Sequence, residues 1–230
     1  MPNNPRSTAG RRVRTPDSDA RGQLLGAAIA LFAERGIANT TVAQIAAAAH
    51  VTSAMVHYWF DTRERLLAAI VEERLAPLFH AIWDPVDAEH DAPLELVQGI
   101  LRRMFDVTAK MPWLPSLWLR EIVSEGGLLR EHALRHIPLK QAVAFAQNIA
   151  RGQSRGEVNP QLEPLLVFNS ILALVMLPQA TAKIWRRINP TLTLDRATLE
   201  RHVGGLVMQG IAHRRAAASR PSRRNTRKTS

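Results

Sequence analysis

Seven consecutive residues, Thr52 to Tyr58 (TSAMVHY), carry two hydroxyls, an imidazole and a phenol interleaved with small and apolar side chains. Ser53 can hydrogen-bond a base edge, whereas Ala54 and Met55 offer only apolar contact, as to a thymine methyl. A Thr52 or Ser53 hydroxyl at the positive end of a helix suits a phosphate. Arg63, a few residues on, can reach a phosphate on the flank. This is the chemistry of gripping a duplex, not of changing a bond. A second constellation points elsewhere: His132 and His136 stand four apart with Glu131 beside the first, which puts both imidazoles on one helical face, as metal ligands can be. The order His-Glu-x-x-His is missing, and the chain has no Gly-rich phosphate loop and no Gly-x-Ser-x-Gly elbow. A metal-dependent helical enzyme is therefore the weaker alternative, and no catalytic residue, metal or cofactor is expected.

The elements that must position the first set are legible around it. Thr41 to Phe60 reads as two short helices joined by a tight turn, the layout of a helix-turn-helix reader of DNA. Thr41 caps the first of these, whose buried face is Val42, Ile45, Ala46 and Ala49; Thr52 caps the second. With Val56 at the centre of its buried face, Phe60 falls within about 40° of it. Ala54 and Tyr58 then point away, with Met55 and His57 on the flanks. An outward Met-His-Tyr patch is also what an amphipathic helix packed on another domain would show. A preceding helix over Asp17 to Arg35 repeats Leu24, Leu25, Ala28, Ile29, Leu31 and Phe32 at helical spacing and stops at Gly36. Asp61 and Thr62 cap a fourth helix, running to about Phe79.

Beyond Pro77 the texture changes, and Asp84 to Pro93 reads as an acidic linker. Further helices are predicted over about 93–109, 113–124, 128–151, 162–187 and 195–213. No stretch alternates as a strand does. The chain reads as all-α with about nine helices.

Of the 230 residues, 46% are apolar, enough for a core, and none is cysteine, which excludes disulfides and thiolate metal sites. The N-terminus lacks the apolar stretch of a signal peptide, and the run Leu165 to Leu177 is too short to span a bilayer, so a cytoplasmic protein is expected. The net charge of +10 is unevenly held. Arg6, Arg11, Arg12 and Arg14 precede Asp17 with no acid among them. Arg214, Arg215, Arg220, Arg223, Arg224, Arg227 and Lys228 close the chain in the same way. The body between is close to neutral. Both tails lack apolar periodicity and read as disordered. From Asp17 to Arg65 four basic residues face five acids, so phosphate neutralisation is expected from Arg11, Arg12 and Arg14 and their neighbours, lying in an adjacent minor groove. A non-specific architectural DNA binder working through the tails is a second alternative.

These residues resemble the TetR family of transcriptional regulators. The resemblance runs over about 50 residues: Ala30 to Thr41 (ALFAERGIANTT), Ile45-Ala46, the turn His50-Val51, then Thr52 to Phe60, and Thr62 to Leu66 (TRERL). Two departures stand out. His50 replaces the turn glycine, a position that needs positive φ at a cost of about 1 kcal/mol for a residue such as His. His57 replaces the tyrosine of the recognition helix. The resemblance implies a DNA-reading set of Thr41, Thr52, Ser53, Ala54, Met55, His57, Tyr58 and Arg63. With the two tails read from composition, four segments are expected: a basic arm (1–16), a helix-turn-helix domain (17–65), a helical ligand-binding and dimerisation domain (66–213) and a basic tail (214–230). It also implies a homodimer through the last two helices, with Pro178 kinking the first of them, bound to a palindromic operator. A small, fairly apolar effector would release the operator by a population shift, with the fourth helix as lever. The expected pocket is lined by Met104, Phe105, Trp113, Trp118, Phe145, Met176 and Trp185, with Gln147, Asn169, His136 and Gln179 as polar contributors.

Overall fold

The computed structural model describes residues 16–88, 90–191 and 194–212; the basic arm and tail expected to be disordered, with Arg11, Arg12 and Arg14, lie outside them. Three local stop and start signals build the N-terminal part. Helix α1 (Pro16–Arg35) ends at Gly36, whose φ of 85° only glycine adopts without strain. The Gly36 N–H donates to Phe32 O (2.9 Å). Helix α2 (Val42–Ala48) opens on a full capping box: Thr41 Oγ1 accepts from Gln44 N–H, and Gln44 Oε1 accepts from Thr41 N–H. Helix α3 (Ser53–Phe60) is capped by Thr52 and α4 (Arg63–Ile70) by Thr62. Phe32, Leu24, Leu25 and Ala28 of α1 are fully buried against Ile45, Val56, Phe60 and Leu66 of the other three.

The fourth helix does not end near Phe79. A π-helical turn (Val71–Leu75) carries it without a break into α5 (Ala76–Trp83). Pro77 cannot donate to the Glu73 carbonyl, and its ring crowds that group in an ordinary turn; the wide turn just before it accommodates both defects.

The larger part comprises α6 (Pro93–Lys110), α7 (Leu114–Trp118) with a second π-helical turn (Leu119–Val123), α8 (Arg130–Leu134), α9 (Leu139–Ser154), α10 (Pro164–Ala180), α11 (Ala182–Ile188) and α12 (Arg196–Ile211). Eleven continuous helices result among the described residues, against about nine expected. One predicted helix, 128–151, divides because Pro138 sits at the cap of α9 and disfavours helical backbone just before it. The other, 162–187, divides by a bend of 56° between α10 and α11. Pro178 stays inside α10, and the bend falls at Thr181, whose hydroxyl donates to Leu177 O (2.7 Å). Ile100 and Met104 of α6, Phe145 and Ile149 of α9, Val175 of α10 and Val203 of α12 form the core, which is continuous with that of the first three helices. Asn148, almost fully buried, holds the 84–92 linker by donating to Ala88 O and Asp91 O. No single described helix is long and apolar enough to cross a membrane.

The turn after α7 requires a glycine by close approach. A side chain on Gly127 would collide with the Glu121 carbonyl. Gly127→Ala should therefore lower stability by about 1–3 kcal/mol, as overpacking does, measured as a drop in Tm. An unchanged Tm would mean that the turn yields freely.

Candidate DNA-reading surface and apolar cavity

Helix α3 is held by two side chains and offers the rest outward. Val56 and Phe60 are buried, Ser53, Ala54, His57 and Tyr58 are exposed, and Met55 is half-buried; Tyr58 is 75% exposed. The Thr52 hydroxyl accepts from Met55 N–H (3.3 Å), so its own O–H can still donate to a phosphate. Thr41 keeps the same option at the start of α2. The turn entering α3 runs through His50 with φ of 56°, the left-handed conformation expected at that position.

The exit from α3 was not legible. Asp61 also has positive φ (57°, with ψ −61°), and Thr62 N–H donates to Phe60 O across it, a γ-turn of the rarer, strained kind. The His57 ring lies against this turn, its Nδ1 3.1 Å from Asp61 O. A carbonyl can only accept, so Nδ1 is the donor, which leaves Nε2 as the ring atom that can face a base edge in the major groove. The signal available in the sequence was the short polar Asp61 after an aromatic residue, one of the few types that tolerate this backbone.

Arg63 is the clearest correction. Its guanidinium does not reach toward the flank of the reading surface. One terminal nitrogen donates to Thr40 O (2.8 Å) and the other to Ile37 O, so it braces the α1–α2 loop. The remaining arginines between Asp17 and Arg65 are engaged too. Arg21 makes a bidentate pair with Glu73 at 2.6 Å and lies 4.8 Å over the Phe60 ring. Their mutual hydrogen bonding raises the Arg21 pKa and lowers that of Glu73, against partial burial. Arg65 pairs with Asp61 and Arg35 with Glu34, both on the surface.

Inside the larger part lies an apolar cavity of about 120 Å³ between α5, α6, α7, α8 and α10. Of the expected lining, Met104, Trp118 and Met176 are present. Phe105 faces α12 instead. Phe145 sits behind the wall, ring to ring with Trp83 (6.0 Å) and Phe168 (6.4 Å). Trp113 is half-buried outside the lining, and Trp185 is on the surface. Gln147 and Asn169 are exposed, and His136 and Gln179 do not line it; Gln179 donates to Val175 O within its own helix. Trp83, Phe79, Phe168 and Thr108 do line it. Thr108 is the polar member, its hydroxyl donating to Phe105 O (3.2 Å). Trp83 was missed because its helix continues past its expected end.

His132 does not combine with His136. Its Nε2 lies 2.7 Å from Glu64 Oε1, joining α8 to the start of α4. Among the described residues no three His, Cys, Asp or Glu side chains cluster as metal ligands.

The apolar helix α10 is buried on one side alone. Leu165, Leu166 and Leu177 are 67%, 56% and 49% exposed, and Ile184 and Ile188 of α11 and Leu206 of α12 extend the same apolar character. Leu166 and Leu206 flank a groove between α10 and α12.

Residues 24–70 match the family model described as bacterial regulatory proteins, tetR family. The HTH-type transcriptional repressor KstR2 of Mycobacterium tuberculosis is 36% identical over 95 residues, which is 41% of this chain and 47% of that protein. The chain thus aligns with about half the length of this curated relative. The solved structure of the ketosteroid transcriptional regulator KstR2 of the same organism superposes with a TM-score of 0.67 at 24% identity, over 88% of this chain and 98% of that one. The regulator FadR of Bacillus subtilis, solved with stearoyl-CoA, superposes with a TM-score of 0.61 at 20% identity, over 83% and 99% of the two chains. These two likenesses show a shared fold.

Proposed function

We propose that this chain, a member of the tetR family of bacterial regulatory proteins, is a transcriptional repressor that reads a palindromic operator as a homodimer and releases it when a small apolar effector enters the cavity. Residues 17–65 form the reading head and residues 66–213 the effector and dimer domain. The carrying observation is the division of α3 into a buried pair, Val56 and Phe60, and an outward set of Ser53, Ala54, His57 and Tyr58, between two left-handed joints. Thr41 and Thr52 add phosphate contacts through hydroxyls already fixed by capping. The role is binding, not catalysis, and a cytoplasmic location follows from it.

The cavity supports an effector that is apolar or aromatic, since Thr108 alone breaks an otherwise apolar lining. Ligand sites commonly measure about 300–1,000 Å³, and the cavity of about 120 Å³ is smaller than that. A bound effector has to part its walls, and its tighter binding to the parted state is what shifts the population.

Selection of bound duplexes from a random pool tests this reading. The expected product is an inverted repeat with its half-sites about one helical turn apart. Recovery of duplexes without sequence preference would replace it with an architectural role. Trp83 and Trp118 stand in the cavity wall, so intrinsic fluorescence should change when apolar compounds bind. The compounds that change it should also dissociate the selected duplex.

A further inference from the structure

Glu121 is a carboxylate in an unusual place. It is 5% exposed, lies in the π-helical turn Leu119–Val123, and both of its oxygens serve backbone donors. Oε2 accepts from Leu128 N–H (3.3 Å) in the turn that follows. Oε1 accepts from Ile37 N–H (2.9 Å), in the loop between α1 and α2 of the reading head, 84 residues away. Ile37 is fully buried, so without Glu121 that N–H would be an orphaned donor. The neighbours of Glu121 on the same short segment, Trp118 and Ile122, line the cavity. One turn of helix thus touches the cavity on one side and the reading head on the other.

The surroundings leave this turn little slack. Gly127 lies flush against the Glu121 backbone, and the position a Cβ would take on Gly36 is 3.2 Å from Arg120 Cδ and 3.3 Å from Glu121 Oε1. On its far side Ile37 is gripped again, because Arg63, the first residue after the α3–α4 turn, holds the Ile37 and Thr40 carbonyls. A shift of Glu121 is therefore passed through Ile37 to both α2 and the exit of α3. The other end of α1 is fastened in a matching way. Arg21 pairs with Glu73, and Arg74 donates to Gly22 O (3.4 Å). Glu73 and Arg74 belong to the first π-helical turn, whose Leu75 also lines the cavity. Helix α1 is thus fastened near each end to a π-helical turn that gives one residue to the cavity wall.

We propose that Glu121 is the positioning residue that carries cavity filling to the reading head. Outward movement of Trp118 and Ile122 displaces the 119–123 turn, and the Glu121–Ile37 hydrogen bond re-sets the α1–α2 loop. This route reaches α2 and α3 directly, without requiring the fourth helix to act as lever. It rests on the repressor reading above and says which contact conveys the effector.

The test fills the cavity by mutation, so that no effector need be known. Thr108→Phe adds a ring to the cavity wall from α6. Its effect on affinity for a selected operator duplex is measured by fluorescence anisotropy in three backgrounds: native, Glu121→Gln, which keeps an acceptor for Ile37, and Glu121→Met, which keeps the size and removes it. Thr108→Phe should weaken operator binding about tenfold or more in the native and Gln backgrounds, and less than about threefold in the Met background. An equal loss with and without the Glu121 acceptor would overturn the proposal while leaving the repressor reading intact. Failure to recover any preferred operator would instead remove that reading. Should Glu121→Met not fold, the amide resonance of Ile37 in 15N-isoleucine-labelled protein decides. It should shift on Thr108→Phe in the native background, and an unmoved Ile37 amide would overturn the proposal.

Discussion

Removal of residues 1–14 should lower operator affinity more than about a hundredfold at physiological salt and flatten its salt dependence. The reason lies in how the reading head uses its charge. Between Asp17 and Arg65 the sequence has fewer basic residues than acidic ones. The structure then commits those few: Arg21 to Glu73, Arg63 to the Ile37 and Thr40 carbonyls, and Arg35 and Arg65 to neighbouring acids. The surface pairs can exchange their partners for phosphate at little expense, whereas Arg21 and Arg63 cannot do so without loosening α1 and its loop. Arg6, Arg11, Arg12 and Arg14 precede this segment in the sequence, with no acid among them. Each arginine withdrawn from a phosphate takes about 0.9 from the slope of log K against log salt, up to about 3.6 per head. Titrations of the truncated and full chains against one duplex at several salt concentrations measure this. An unchanged slope would mean that the phosphates are met from elsewhere.

Leu166→Asp should convert the protein to a monomer at micromolar concentration and reduce operator affinity by more than about a hundredfold. Leu166 is 56% exposed and flanks the groove between α10 and α12 together with Leu206. Leu165 and Leu177 continue that face. Burying each such leucine against a second copy contributes about 1.5–3 kcal/mol, and an unpaired carboxylate in its place adds a desolvation penalty of several kcal/mol. A single head contacts too few base pairs to select a site, so losing the partner costs far more binding than one side chain would suggest. Light scattering gives the mass and anisotropy the affinity. Because Leu166 does not line the cavity, probe binding followed by Trp83 and Trp118 fluorescence should survive. A persistent dimer would place the interface on another face.

What was legible in the sequence was local. Thr41, Thr52 and Thr62 cap their helices because a hydroxyl three residues before an amide acts within one turn of chain. Val56 and Phe60 follow from helical period, and positive φ at His50 from its place in the turn. What was hidden depends on distance. The division between α8 and α9 is an exception: Pro138 marks it locally, but the apolar spacing over 128–151 continues on both sides and reads as one helix. Met104 and Phe105 are equally apolar neighbours, and the arrangement of α5, α7, α10 and α12 alone decides which of them faces a cavity. Arg63 could as well have met phosphates as carbonyls. Nothing near Glu121 announces a backbone donor 84 residues earlier.

The two left-handed joints matter to α3 beyond any one operator. His50 and Asp61 fix where the helix enters and leaves, and the outward-facing His57 braces the exit through the Asp61 carbonyl. Val56 and Phe60 fix its roll. Ser53, Ala54 and Tyr58 therefore form an interchangeable reading cassette, whose letters can be rewritten while the frame stays in place. On the repressor reading, other operators are then reachable by changing those exposed side chains alone.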